Sequence, residues 1–317
     1  MRPTRSRTTT AAAATVVALL AALGFLAAGA GPAAADGEPS WEVTTSSNDF
    51  GSGRRNYTYA LDPGGRISDG LVVANHGTAP LRLTVYAADG FTGEDGRLDL
   101  VAEDTRSTRV GAWVHPERPD VTVPPGESAE VPFTVVLPDD AAPGEYMGGI
   151  VTSAGGDRRL GIRVRLRVGG ELKPGLTVED LRVGYAGTSF GTGDATVTYR
   201  IRNTGNTILA ARQAVSLSGP FGRFAVRAGQ VGDSPRLLPG ETWDVSVPVR
   251  GVVPALRLTG TATVVPLLTD AANSVTPLAA VETTAQTWTI PWAPLVVLVV
   301  LCALVVAGLV ARRRAPR

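Results

Sequence analysis

The chain has 317 residues with 30 Lys+Arg and 29 Asp+Glu, a near-neutral sum that hides an uneven distribution. Three arginines stand before residue 8 and four after residue 311, which leaves 23 bases against 29 acids between them, and so net-acidic a surface disfavours nucleic-acid binding. With Cys302 as the single cysteine no disulfide can form within the chain, so its stability must come from core burial.

Arg2, Arg5 and Arg7 precede an apolar stretch over 11–25 and the small residues Ala33-Ala34-Ala35. Charge, apolar run and small-residue site in that order predict a secretory signal peptide over 1–35.

Residues 36–286 show short runs of Val, Ile, Leu and Thr closed by Gly, Pro, Asn or Asp, and almost no helical period. Strands are expected within 67–74, 81–87, 128–137, 162–168, 196–202 and 242–249. The predicted fold class is all-β, with two tandem immunoglobulin-like β-sandwich domains at 36–170 and 171–286. The break falls in 169–175, where glycines, Lys173 and Pro174 interrupt the strand pattern.

An internal repeat supports two domains. Asn75-His76-Gly77 is followed by Pro124-Pro125-Gly126-Glu127, and Asn203-Thr204-Gly205 by Leu238-Pro239-Gly240-Glu241. Each Asn-x-Gly is expected to supply positive-φ turn positions, and each Pro-Gly another turn. Residues 283–291 read as a less ordered connector, with a membrane-proximal linker at 287–291.

From Trp292 to Val310 no residue is charged, and Arg312-Arg313-Arg314 follow. Such a run predicts a transmembrane helix at 292–311, with a basic cytoplasmic tail at 312–317 and Trp288 and Trp292 in the interface. No Leu-Pro-x-Thr-Gly precedes it, so wall attachment by a sortase is not expected. The expected location is the cell membrane, single-pass, with the bulk of the chain extracellular.

Several pieces of the first domain stand in a recognisable order: Tyr57, Asp62-Pro63-Gly64-Gly65, the strand to Asn75, Tyr86 to Asp89-Gly90, Pro125-Gly126, and Pro143-Gly144-Glu145-Tyr146-Met147-Gly148-Gly149. With this set the domain resembles the peptidoglycan-binding domain of the WxL-interacting proteins, surface proteins of Gram-positive cells. The resemblance implies cell-wall contact by residues 40–168. Its structural motif residues would be Asp62, Gly64, Asn75, Asp89, Gly126, Gly148 and Gly149, with Asn203 and Gly240 as counterparts in the second domain. An Ala- and Arg-rich composition with Lys173 as sole lysine suggests an actinobacterial, membrane-anchored form. The second domain matches the family's host-binding domain only loosely, and no WxL module is present.

Catalysis is not expected. His76 and His115 lack ligand spacing for a metal, and no Gly-x-Ser-x-Gly elbow occurs. No cofactor is implied. The sharper feature is 158–168, where Arg159, Arg163, Arg165 and Arg167 alternate with aliphatic residues, so that one strand face carries four guanidinium groups. Those forks suit phosphate or carboxylate groups of a wall polymer; the bland alternative is a solvated face or cross-strand pairing with acids. Tyr146, beside Gly148-Gly149, is a further ligand candidate, although consecutive glycines equally mark a bulge or a close backbone approach. Trp41, Trp113 and Trp243 are assigned to core packing before sugar stacking. The expected partner is peptidoglycan or an attached polymer; the alternative is a scaffold that pairs exposed sheet edges with another surface protein.

Overall fold

The computed structural model describes residues 40–156, 158–187, 191–269, 274–289 and 292–314. The predicted signal over 1–35 and residues 315–317 of the predicted tail lie outside them. Of the compact unit formed by residues 1–41 only Ser40 and Trp41 are described; the remainder of the structure belongs to residues 42–317.

The first half contains β1 (Trp41–Thr45), β2 (Tyr57–Leu61), β3 (Arg66–Asn75), β4 (Leu81–Thr92), β5 (Leu98–Leu100), one helical turn α1 (Val110–Trp113), β6 (Val114–Pro116), β7 (Asp120–Val123), β8 (Ser128–Val136), β9 (Gly144–Ser153) and β10 (Arg159–Val168). One sheet runs β1-β3-β8-β6; the other runs β2-β10-β9-β4-β5, with β7 also on β4. β2 joins β10 in parallel. The sheets meet face to face because alternate residues of each are apolar. The buried Tyr57 ring of one lies 5.0 Å from Phe133 of the other, and its hydroxyl donates to the Gly70 carbonyl across the gap at 2.7 Å.

The second half contains β11 (Leu176–Ala186), β12 (Gly193–Asn203), β13 (Leu209–Ser218), a 3-10 turn (Pro220–Gly222), β14 (Val226–Arg227), β15 (Thr242–Val252), β16 (Leu256–Thr269), β17 (Val275–Pro277) and β18 (Val281–Thr289). A three-stranded sheet β11-β12-β15 faces a sheet ordered β14-β13-β16-β17, with β18 also on β16. Both sheets feed one core, in which Val197, Ile201, Leu209, Leu217 and Leu258 are buried. The buried Tyr199 hydroxyl crosses to Gln213 Oε1 at 2.7 Å, and burial pushes its pKa up to about 12. Among the described strands none pairs with a strand of the other half.

Both sandwiches close the same loop by the same circuit. The buried Asn75 amide donates to the carbonyls of Ala79 and Val123, at 2.9 and 3.0 Å, while its Oδ1 accepts the Gly77 amide. The buried Asn203 amide donates to Thr207 and Leu237, at 2.7 and 2.9 Å, while its Oδ1 accepts the Gly205 amide. In each case the asparagine backbone exchanges bonds with the Pro-Gly-Glu turn: Gly126 N to Asn75 O and Asn75 N to Glu127 O, then Gly240 N to Asn203 O and Asn203 N to Glu241 O. Gly126 and Gly240 have φ of 73° and 89°, as the Pro-Gly turns require. The Asn-x-Gly pieces do not: neither Asn75, Gly77, Asn203 nor Gly205 has a positive φ. The side-chain amide closes each loop as an Asx turn, so no left-handed residue is needed.

A second correction concerns 283–291. This segment is strand β18 through Thr289, so the linker expected at 287–291 loses its first three residues to the sandwich. Its half-buried face carries Val281, Thr283, Ala285 and Thr287, while Glu282, Thr284, Gln286 and Trp288 are exposed, a pattern that suits an edge strand but gives little apolar signal. A helix α2 (Trp292–Arg314) follows and continues through Arg312 into the basic run. Its apolar side chains are exposed, Leu304 to 63%. Counted over the described residues, no helix is long and apolar enough to cross a membrane.

Candidate functional site

Strand β10 alternates as its sequence predicts: Ile162, Val164, Leu166 and Val168 are buried, and Arg159, Arg163 and Arg167 are exposed. Its register on β9 sets Arg163 opposite Gly149, Arg165 opposite Met147 and Arg167 opposite Glu145. Opposed residues share a face, so the arginine row stands beside Met147 and Glu145. Tyr146 pairs with Leu166 on the other face. There its ring meets Trp113 edge-on at 4.8 Å and its hydroxyl donates to the Ala142 carbonyl at 2.8 Å. Burial raises the Tyr146 pKa, against a smaller opposing pull from Arg109. The structure therefore separates Tyr146 from the arginines with which it was grouped.

The row is not uniformly solvated. Arg165 donates to Glu145 Oε1 at 2.7 Å, with side-chain exposures of 22% and 8%. Glu145 Oε2 accepts the Ile208 amide at 3.0 Å, and its own amide donates to the Asn206 carbonyl. Asn206 Nδ2 returns to the carbonyls of Pro143 and Glu171. A second clasp joins Thr92 to Glu241, whose carboxylate accepts from the threonine amide at 2.9 Å and its hydroxyl at 2.6 Å. These bonds tie the first sandwich to the second.

Between the clasps lies a cleft of about 160 Å³, with Leu98, Met147 and Leu238 in its lining and the guanidinium groups of Arg163, Arg165 and Arg236 around it. Glu145 matches the charge of Arg165. Among the described residues Arg163 and Arg236 form no ion pair, and both are exposed. An apolar surface bearing unmatched forks can take a phosphate or carboxylate bidentately. Arg167 lines a neighbouring hollow of about 340 Å³ with Thr58, Tyr59 and Leu268. Arg159, at the strand's start, lines neither.

The other residues singled out in the sequence have structural roles. Asp62-Pro63-Gly64-Gly65 turns β2 into β3 with Gly64 at φ 75°. Asp89 accepts the amides of Thr108, Arg109 and Gly111, which fixes the turn into α1. A Cβ on Gly148 would lie 2.5 Å from the Ala88 carbonyl oxygen and one on Gly149 2.6 Å from Leu100, so the paired glycines do mark a close approach. Trp41 and Trp113 are buried, while Trp243 is partly buried against the second core. His76 sits 3.4 Å from Glu42 at the surface, and no cluster able to hold a metal occurs among the described residues.

A polar centre that the sequence did not disclose surrounds Asp69. Its buried carboxylate accepts from Arg54 at 2.7 and 3.0 Å, Asn48 at 2.6 Å, Tyr59 at 2.6 Å and the Gly70 amide at 2.7 Å. Burial works to raise the Asp69 pKa, but bonds from Arg54, Tyr59, Gly70 and Asn48 outweigh it and leave the carboxyl below its ordinary value. Burial, then the Asp69 bond, drive the Tyr59 hydroxyl well above its usual range. With its acceptors filled, this carboxylate pins the 46–56 loop to β3 and has none to spare for a ligand. The sequence reading assigns no such role to Asn206 or Arg236, and it includes Glu145 only within the family motif. A Pro-Gly-Glu signature was visible at Glu127, Glu145 and Glu241, but spacing alone does not say which carboxylate faces a neighbour.

No family model matches the sequence. No curated protein matches it either. Solved structures with partial likeness include a family 123 glycoside hydrolase from Clostridium perfringens, with 11% identity and a TM-score of 0.31, covering 41% of this chain; this chain spans 27% of the hydrolase. The E. coli chaperone DraB has 12% identity and a TM-score of 0.32, covering 77% of this chain and 96% of its own. The Pseudomonas aeruginosa CupB2 chaperone has 10% identity and a TM-score of 0.31, covering 75% and 99%. Likeness at these scores assigns neither a fold nor an activity to the chain.

Proposed function

We propose that this is a non-catalytic, membrane-anchored surface protein that binds peptidoglycan or an anionic polymer attached to it. Its two halves are read as immunoglobulin-like domains held outside the cell by the 292–311 segment, after removal of the 1–35 signal. The observation that carries binding is the cleft itself: Arg163 and Arg236 stand unmatched beside the paired Arg165 on an otherwise acidic exterior. Phosphate or carboxylate groups of a wall polymer supply the missing charge, and the apolar part of the lining accepts the less polar parts of the repeat.

The test is co-sedimentation of the detergent-solubilised full chain with insoluble peptidoglycan, before and after removal of its anionic polymers, alongside the double variant Arg163→Ala/Arg236→Ala. Binding lost both on stripping and in the variant supports the cleft. Binding unchanged by either places glycan recognition outside the cleft, and no binding to either preparation overturns the proposal.

A second reading is a scaffold for a surface protein, favoured by β15. Among the described residues this strand of 11 residues pairs with β12 alone, which makes its other edge a candidate for strand addition. Copurification of one stoichiometric partner after complete wall digestion would select it.

A further inference from the structure

We infer that one end of the second sandwich, built from Phe221, Phe224 and Leu256, rests in the lipid interface beside α2. The inference depends on the membrane-anchor reading of that helix and adds a second, separate contact with the bilayer.

These three side chains are not core. They are 101%, 57% and 50% exposed, and with Pro220, Pro254 and Ala255 they line an open hollow of about 570 Å³. Nor are they relaxed. Four described residues other than glycine have a positive φ, and three of them are Phe221 at 58°, Phe224 at 55° and Leu256 at 59°. Bulky side chains rarely occupy that region, because Cβ crowds the backbone there. Phe221 gains no burial within the chain, and Phe224 and Leu256 keep half or more of their surface exposed, so little burial offsets the strain, which points to a contact made with something else.

Chain continuity identifies the occupant. Leu256 pairs with Thr289, and Arg257 with Trp288, at the last step of β18. Helix α2 starts at Trp292, three residues further on, so at most about 11 Å of extended chain separates Thr289, the strand partner of Leu256, from the helix. Whatever covers the patch must therefore fit beside the start of α2. If α2 enters the bilayer there, the headgroup region lies at this height. Trp288 is 76% exposed at the same edge, as an interfacial aromatic would be, and the exposed Arg223 and Arg257 flank the apolar group with charges suited to anionic headgroups. Aromatic and aliphatic tips rimmed by arginine match an interfacial lipid contact better than a dry protein contact.

The test reconstitutes the full chain in vesicles of phosphatidylglycerol and phosphatidylethanolamine. Bimane is attached to single cysteines in a Cys302→Ser background, at Phe221→Cys, at Phe224→Cys and, as a control on the first sandwich, at Glu127→Cys. A fourth sample carries the label on native Cys302. We expect lipids brominated near the headgroup to quench the 221 and 224 labels roughly threefold more than the 127 label, and aqueous iodide to show the reverse order. Labels at 221 and 224 that behave like the one at 127 overturn the inference. So do labels shielded from iodide yet unaffected by bromolipid, which would mean that a protein covers the patch. Cys302 reports the anchor separately, with bromine placed deep in the acyl chains. Quenching there without quenching at 221 and 224 sinks the patch and keeps the anchor; quenching at none of the three sinks both. Quenching at 221 and 224 alone sinks the anchor, and with it the placement of the patch beside an inserted helix, and leaves only a lipid contact of the patch itself.

Discussion

Glu145 and Arg165 pair at 2.7 Å within the first sandwich, while the second oxygen of the same carboxylate takes the Ile208 amide of the other sandwich. One side chain thus sets the charge of the cleft and fastens the junction. Replacing Glu145 with Ala leaves a partly buried guanidinium and a buried amide without partners. The expected cost is about 2–3 kcal/mol, at the low end for a broken ion pair because Arg165 keeps some solvent. Hydrogen exchange at Ile208 should accelerate well before exchange in the β9–β10 ladder does. Equal protection in both proteins would show that the clasp does not hold the junction.

The repeated asparagine circuit makes a paired prediction. Asn75→Ala and Asn203→Ala should each destabilise their own sandwich by about 2–4 kcal/mol, since the first removes an amide that serves three carbonyls and the second one that serves two. Asn→Asp at either position should be no better, because a carboxylate cannot donate. Calorimetry should show each variant lowering its own sandwich's transition more than the other's; equal lowering of both by each variant would contradict the assignment of one circuit to each sandwich.

Asp69 predicts an acid limb. Its folded pKa lies below the ordinary carboxylate value, so the stabilisation it gives is complete above about pH 4. That contribution is lost as the pH falls through the folded pKa, where protonation breaks the bonds from Arg54 and Asn48. Urea unfolding of the first sandwich should weaken progressively below pH 4. Asp69→Asn should be less stable at pH 7 and lose less on acidification; parallel pH profiles would refute the assignment.

Two glycines should separate steric from conformational cost. Gly148→Ala puts a Cβ 2.5 Å from the Ala88 oxygen and 2.6 Å from Val110 Cβ, so β4 and α1 must move, at about 2–3 kcal/mol. Gly126→Ala meets nothing within 4 Å but keeps φ at 73°, which costs about 1 kcal/mol. Denaturation midpoints should fall in that order.

Much of this was legible in the sequence wherever one face of a strand is apolar. Ile162, Val164, Leu166 and Val168 announce both their own burial and the outward arginines, because period two leaves no other arrangement. The strand at Val281–Thr289 is hard to read because, beyond Val281, its inward residues are Thr and Ala, whose pattern is weak without aliphatic neighbours. Arg236 joins Arg163 only through the docking of two sandwiches, a relation between distant segments that no local spacing records. Tyr146 was misgrouped for the opposite reason: it is one position from Met147, and on a strand one position is the other side of the sheet.

The direct passage from β18 into α2 has a mechanical consequence. A polymer held by the cleft and a helix held by the bilayer would put the chain under tension whenever wall and membrane move apart, and the pull would enter at Thr289. From Leu256–Thr289 to Val264–Val281, the rungs joining β16 and β18 lie across the strand axis. A tug along that axis shears these rungs together instead of peeling them one by one, so the sandwich resists as a single unit up to a sharp yield point.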